Sequence, residues 1–571
     1  MSVTARIYHS QRPDLSSQQW WDYDPSVYDD VAYKKILSVT KDAAAYWSTN
    51  GFSLGNKLYK PDIVSGSILL TDEGDSLARR IDKAAYNQYL QGISANKFEN
   101  KAEAAYINAK INIADLTLGF VSWNKTEGSG TTYTDQFASV SGTVWSPSHK
   151  YIYAKYNKPL LQNLLFSAFL NYRIHTIRNG SKVAQLHNYA TGGLELKDLV
   201  DSTPSYFNTT YYYEQSEQFR SEFKLLYTPS EHFYIIGGVE LRNSQLQGYL
   251  LTSPNSNPEE TGTYTDTLPG GNQFNVNDIG IYIQSQYRTK SDIGFTVGGR
   301  LDHNQIRQSG GLGYTFSPRV VIDKIYKTWV FKAIFCKGIE DVSNLTKFSD
   351  FGGTLVSNFD LKAESIYNFE FSVSNKISKG VIADIDFYYS NIKNATRSIR
   401  IAPVTRQIQN IAEYKILGIQ TNLYYSSQKL QASISYSYTY PTETKDTFSI
   451  SGKLKIASVA SNKIDGIVNC IFLKHYNINF RANYVGSKKA GPNTTSQFNE
   501  ISSFPGYFLG NVAFSIYDIF RLKGTTLQFL CNNIFNKTYY TPGNIGGGGI
   551  VSPGSFLQMG RNFSFKINYE F

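Results

Sequence analysis

The sequence predicts an all-β protein: a transmembrane antiparallel β-barrel of about 20 to 22 strands, joined by short periplasmic turns and long extracellular loops. Three observations lead there. Apolar and polar residues alternate along most of the chain, the connections between alternating segments are by turns tight and long, and aromatic residues are heavily used. Alternation alone also suits a half-buried strand of a soluble sandwich. Its repetition with asymmetric connections is what sandwiches and propellers do not share.

Composition comes first. Tyr and Phe number 43 and 35, Met and Cys only 2 and 3, and aromatic residues make up 15% of the 571. This favours strands over helices throughout. Mean hydropathy is −0.32, too polar for a helical membrane protein, and no uninterrupted apolar run reaches the roughly 18 residues a spanning helix needs. A barrel strand faces lipid only at every second residue, so its mean hydropathy resembles that of a soluble chain. Cys336, Cys470 and Cys531 show neither a CxxC nor a Cys/His spacing, which argues against a disulfide framework or a zinc site. The formal charge is +10, but Lys and Arg are scattered along the chain, as on a solvated surface, with no tract suited to nucleic acid. Met1 is followed by Ser-Val-Thr-Ala-Arg, without the charged and apolar regions of a secretory signal.

The period is clearest at the end of the chain. Leu557, Met559, Phe563, Phe565, Ile567, Tyr569 and Phe571 alternate with Gln558, Gly560, Asn562, Ser564, Lys566, Asn568 and Glu570, and only Arg561 interrupts the apolar side. One oily and one polar face is what a strand between lipid and a hydrated lumen requires. Tight hairpins recur upstream. Ile107, Ala109, Ile111 and Ile113 lead through Ala114-Asp115 into Leu116, Leu118 and Phe120; Phe219, Phe223, Leu225 and Tyr227 lead through residues 228 to 231 into Phe233, Ile235, Val239 and Leu241. Further pairs fall at 276 to 289 with 291 to 304, 314 to 323 with 328 to 338, 361 to 377 with 381 to 393, 412 to 426 with 429 to 440, 458 to 473 with 475 to 487, and 505 to 520 with 525 to 534, with a weaker pair at 149 to 174. Between them lie stretches rich in Gly, Ser, Thr, Asn and Pro: 125 to 148, 175 to 206, 243 to 275, 339 to 360, 394 to 411, 440 to 457, 488 to 504 and 536 to 556. These have loop compositions.

The first hundred residues differ. They hold an aromatic cluster (Trp20, Trp21, Tyr23, Tyr28 and Tyr33), a short strand at 63 to 71, and a polar, helical stretch near 74 to 92. Val3 to Tyr8 reads as the tail of an early barrel strand entering an extracellular loop at His9. Residues 1–100 are therefore expected to supply an early strand remnant and a long extracellular loop region, and residues 101–571 the barrel.

Several segments, taken in order, resemble the barrels of TonB-dependent receptors of Gram-negative outer membranes. They are Gly238-Val239-Glu240-Leu241-Arg242, Gly298-Gly299-Arg300-Leu301-Asp302, Ser317-Pro318-Arg319, Leu361-Lys362-Ala363-Glu364 with Tyr367-Asn368-Phe369-Glu370, Asn533-Ile534-Phe535-Asn536-Lys537-Thr538-Tyr539, and Gly560-Arg561-Asn562-Phe563. The resemblance covers roughly residues 100 to 571. Gly338-Ile339-Glu340-Asp341 departs from it where such barrels often carry Arg-Ala-Pro, and Asn536 stands for the usual Asp. Family members also hold a plug domain and a short TonB-engaging box; neither is recognisable here, so the chain is expected to be N-terminally truncated, without signal and plug. Phe571 resembles the terminal aromatic by which outer-membrane assembly machinery recognises such barrels.

Function follows from this resemblance. It implies import of a scarce nutrient, such as a ferric siderophore, with outer-membrane lipid and a small nutrient ligand as partners, and with the TonB complex if plug and box are supplied. The alternative is a passive pore or a surface-loop adhesin. A charge on the lipid face near the midplane costs about 2–4 kcal/mol, so Arg220, Glu222, Lys224, Glu240, Arg242, Arg300, Asp302, Asp384 and Asp386 are expected to face the lumen and hold the wall's electrostatics or grip a plug. Trp20, Trp21 and Tyr23 are candidate ligand contacts by stacking, with packing inside their own loop as the plainer role. No nucleophile elbow, HExxH, P-loop or paired-carboxylate frame is visible, and the seven histidines are isolated, so neither an enzyme nor a cofactor or metal site is expected.

Overall fold

The computed structural model describes the chain apart from residues 1, 11–29, 41, 54–55, 63, 93–101, 129–143, 191–192, 247–250, 265–273, 307–310, 312, 343–346, 348–354, 402–405, 447–457, 490–502, 520–521, 543–554 and 570–571. One sheet of 24 strands dominates it. Four of these are pieces of two or three residues. The twenty long ones are β1 (Ser2–Ser10), β2 (Ala102–Ile113), β3 (Leu116–Gly128), β4 (Pro147–Leu161), β5 (Leu164–His187), β6 (Tyr206–Ser230), β7 (Phe233–Leu246), β8 (Phe274–Arg288), β9 (Ile293–Ile306), β10 (Gly313–Tyr326), β11 (Trp329–Glu340), β12 (Glu364–Ser378), β13 (Val381–Arg400), β14 (Arg406–Ser426), β15 (Leu430–Asp446), β16 (Asn462–Phe472), β17 (Tyr476–Val485), β18 (Tyr507–Tyr517), β19 (Thr525–Asn532) and β20 (Asn562–Tyr569). Each pairs antiparallel with the next. Among the described residues no pairing joins β20 to β1.

The connections alternate as the sequence predicts. At one end the chain turns within a few residues, because particular positions accept left-handed backbone: Ala114 has φ 49° between β2 and β3, and Leu473 and Lys474 have φ 48° and 63° between β16 and β17. Gly380, with φ 88°, turns β12 into β13 where a Cβ would lie 2.4 Å from the Ser426 carbonyl oxygen, so only glycine fits. The long loops gather at the opposite, extracellular end.

The sheet's outer face is a belt of exposed apolar side chains, among them Phe219, Leu241, Ile281, Ile283, Val297, Phe316 and Ile434, each at least two-fifths accessible. Water would penalise so large a surface, whereas lipid does not. On the other face several strands approach closely over glycine. A Cβ on Gly119 would lie 2.1 Å from Tyr153 Cζ, and one on Gly418 would lie 2.2 Å from Tyr388 Cζ; in each case the neighbouring ring occupies the space.

Several stretches with loop composition contain strand, including 125–128 at the end of β3 and 243–246 at the end of β7. Residues 175–187 continue β5, 394–400 and 406–411 belong to β13 and β14, and 440–446 continue β15. Along β5 and β13 the alternation is interrupted by register shifts, between Ile177 and Ser181 and between Ile392 and Ala395, where Asn394 is left-handed at φ 57°. Beyond the lipid both faces of a strand are wet, so polarity there says little about structure.

A second core lies outside the sheet. Helices α1 (Asp30–Leu37), α2 (Ala43–Asn50) and α3 (Asp72–Gly92) pack with a hairpin of Tyr59–Asp62 and Ser67–Leu70. They enclose Tyr33, Leu37, Phe52, Tyr59, Ile68, Leu70 and Ala78. The β5–β6 loop, with helix α4 (Leu196–Val200), adds Tyr189, Leu194, Leu196 and Leu199 to the same cluster. The helix expected near 74 to 92 is α3, and the strand expected over 63 to 71 is shorter, spanning Ser67–Leu70. In α3 the inward positions Gly74, Asp75, Ala78 and Asp82 recur at helical spacing, and Asp72, Glu73 and Asp75 sit favourably in its first turn. No helix among the described residues is long and apolar enough to cross a membrane.

Candidate functional site

The lumenal face of β6 to β9 carries a compact charged network. Because side chains alternate, Arg220, Glu222 and Lys224 of β6 point away from the apolar belt, as do Glu240 and Arg242 of β7, Asp278 and Tyr282 of β8, and Arg300 and Asp302 of β9. The register sets like charges directly across from one another, Glu222 opposite Glu240 and Arg220 opposite Arg242. Attraction runs instead along one diagonal, between neighbours on a single strand, and across to β8, where Arg242 faces Asp278. Arg220 Nε lies 2.9 Å from Glu240 Oε1, and Arg242 Nε lies 3.4 Å from the same oxygen and 3.6 Å from Asp278 Oδ2. Arg300 donates to Asp302 Oδ1 from Nε at 2.8 Å and reaches Glu240 Oε2 from Nη1 at 3.2 Å.

That last contact crosses a whole strand. Gly280 of β8 stands between Glu240 and Asp302, and a Cβ there would lie 2.1 Å from Arg300 Nη2. The missing side chain is the channel through which β9 reaches β7. Tyr282 then closes the network by donating to Glu222 Oε1 at 2.6 Å, and Asn304 donates to Asp278 Oδ1 at 2.5 Å. Glu240 is buried beneath three guanidinium groups. The Nε–H groups of Arg220 and Arg242 are close to carboxylate but not aimed at it, so both are buried donors without a hydrogen bond.

Beside the network is a polar pocket of about 570 Å³, lined by His149, Tyr151, Phe169, Asn171, Arg173, Gln218, Arg220, Glu240, Arg242 and Arg300. Arg173 has no acidic partner among the described residues. The pocket thus presents guanidinium donors in excess over carboxylate, which suits an anionic group. Of the sequence-expected lumenal charges, Arg220, Glu222, Glu240, Arg242, Arg300 and Asp302 meet here. Lys224 lines an adjoining pocket with Lys155. Asp384 and Asp386 lie elsewhere on the wall: Ser374 donates to Asp384, and Asp386 sits near Lys332. Sequence reading missed Arg173, Asp278, Tyr282 and Gly280, whose roles depend on register between strands.

A buried carboxylate links the two loops of the extracellular unit. Asp82 of α3 accepts from Tyr33 Oη at 2.9 Å, from the Tyr189 and Ala190 amides at 3.1 and 3.0 Å, and from Ser205 Oγ at 2.6 Å. It ties the β1–β2 loop to the β5–β6 loop. Burial pushes its carboxyl above the usual range despite these four donors. Trp20, Trp21 and Tyr23 lie outside the described residues, as does Phe571. Among the described residues no group of three or more His, Cys, Asp or Glu is placed to hold a metal ion.

An antiparallel wall with an apolar outer belt, a charged lumen, tight turns at one end and long loops at the other defines an outer-membrane β-barrel. The family model described as TonB dependent receptor-like, beta-barrel, matches residues 150–534, and the chain belongs to that family. Its fold is similar to the FrpB iron transporter from Neisseria meningitidis (F3-3 variant), at 14% identity and TM-score 0.57 over 83% of this chain and 72% of that one. It is also similar to a mutant of the ferric enterobactin receptor PfeA from Pseudomonas aeruginosa, at 13% identity and TM-score 0.59 over 84% and 72%. The copper transporter OprC is similar at 11% identity and TM-score 0.58 over 83% and 72%. No curated protein matches by sequence.

Proposed function

We propose that this chain forms the wall and outer loops of a receptor that imports a scarce nutrient across the outer membrane, with a ferric siderophore as the first substrate to test. The observation that carries this reading is the guanidinium-rich lumenal pocket with two unsatisfied donors, set in a barrel of this family. Many ferric chelates are anionic, and such a wall attracts them or an acidic face of a plug. On the same reading residues 1–100 supply an early strand and the outer loop region, residues 101–571 form the barrel, and Trp20, Trp21 and Tyr23 stack against ligand. Phe571 serves as the assembly signal, transport draws on the TonB complex acting through a plug, and the chain has no catalytic role.

The test is uptake of radiolabelled ferric siderophores by iron-starved cells that carry or lack the gene. Accumulation that depends on both the gene and an energised inner membrane supports import. Gene-dependent accumulation that survives collapse of the proton gradient, together with ion conductance of the purified protein in planar bilayers, would identify a passive pore instead.

A further inference from the structure

The lipid-facing side of β10 to β14 has a feature that nutrient import does not use. Val320, Ile322, Phe335, Phe371, Phe387 and Leu417 line an apolar groove of about 610 Å³. The pairing Lys337 to Tyr367 to Asn391 lies one step outward from Phe335 to Phe369 to Tyr389, on the same face and toward the extracellular ends of the strands. Two residues of strand separate these rows, about 7 Å. At that upper row Lys337 and Lys393 converge on one ring, with Nζ atoms 5.8 and 5.3 Å from the Tyr367 centroid. Neither lysine has an ion-pair partner among the described residues.

We propose that this groove and its two lysines bind a phosphorylated, multiply acylated glycolipid of the outer leaflet. Its acyl chains lie along the groove, and its phosphate bridges Lys337 and Lys393 above Tyr367. Each ammonium group sits beside the same aromatic ring without a carboxylate partner, and a phosphate supplies the missing negative charge to both. Charge also distinguishes this groove from a second one on the lipid face. That second groove, about 540 Å³, is lined by Phe120, Ile152, Leu170, Tyr172 and Phe219, and at its extracellular rim Tyr172 donates to Glu217 at 2.6 Å. An acidic rim disfavours phosphate; the basic rim at Lys337 and Lys393 selects it.

The experiment is native mass spectrometry of the full chain in detergent, titrated with bis-phosphorylated lipid A, its dephosphorylated form, and phosphatidylglycerol. A near-surface lysine contributes about fivefold to anionic-lipid binding. Bis-phosphorylated lipid A is expected to bind in preference to the other two, and Lys337→Gln with Lys393→Gln to weaken it roughly 25-fold. Lys158→Gln, a change at the opposite, periplasmic end of the lipid face, is expected to leave it unaltered. Equal binding of the dephosphorylated lipid or of phosphatidylglycerol to the unmodified protein would overturn the proposal, whatever the variants do. So would full retention of lipid A by the double variant.

Discussion

Replacing Asp82 by alanine tests whether the two outer loops are one cooperative unit. The carboxylate accepts four hydrogen bonds from residues far apart in sequence. The Tyr33 and Ser205 hydroxyls can rotate toward other acceptors, but the Tyr189 and Ala190 amides are fixed, and both residues are fully buried. Each buried donor left unsatisfied costs about 1–3 kcal/mol, so the two amides together lose about 4 kcal/mol. At 1.4 kcal/mol per tenfold, opening of the unit becomes roughly a thousandfold more frequent. Hydrogen exchange read by mass spectrometry is the assay. Peptides containing 189–190 and 33–37 are expected to exchange about a thousandfold faster in Asp82→Ala, while peptides of β6 to β9 keep their protection. Asp82→Asn, which retains one acceptor oxygen, should fall between. A change below tenfold at 189–190, or loss of protection spread over the whole wall, would refute the view that this carboxylate joins two loops into a separately stable unit.

Further outcomes follow from the same structure. The Asp82 carboxyl titrates above its unfolded value of about 3.9, so its folded form binds the proton more readily. The protonation-linked part of its contribution is therefore fully present below about pH 3.9 and lost as pH rises through the folded value; protection at 189–190, corrected for intrinsic exchange, should be greater at pH 4.5 than at pH 7.5, and Asp82→Asn should remove the difference. Glu240→Ala leaves Arg220, Arg242 and Arg300 facing one another; it should cost about 3 kcal/mol and lower the temperature at which the folded gel band is lost, with Arg300→Ala in the same background costing less than it does alone. Gly119→Val drives a side chain into Tyr153 and should cost about 1–3 kcal/mol by the same gel assay. If Trp20, Trp21 and Tyr23 touch ligand, each alanine variant should weaken ferric-siderophore binding about fivefold in a fluorescence titration without altering the gel mobility of the folded barrel.

The wall was legible in the sequence wherever lipid enforced the period. Along β20, Phe563, Phe565 and Ile567 are exposed on one side while Asn562, Ser564 and Lys566 lie on the other, and the same logic located the hairpin at Ala114-Asp115. It failed at residues 175–187, where β5 runs on beyond the lipid and no solvent difference between its faces marks the strand. The charged network was half legible for a related reason. Periodicity assigns Arg220, Glu240 and Arg300 to the lumen, but only the register between β6, β7, β8 and β9 shows that they converge on one carboxylate. Gly280 is the sharpest case, since its importance lies in the side chain it lacks and in a partner two strands from Glu240.

Register is also what turns a wall into a selective surface. A one-residue slip between β8 and β9 would move Arg300 to the lipid face, at about 2–4 kcal/mol, and dissolve the pocket at the same time. Stability in the membrane and the chemistry of the lumen are thus enforced by one geometric condition. The outer loops escape it. Their core of Tyr33, Tyr59, Ile68, Tyr189 and Leu199 is built from segments more than a hundred residues apart, joined at Asp82 and without periodicity shared with the barrel. That freedom allows the outer loops of such a barrel to vary with ligand while the lumenal wall keeps its charges in place.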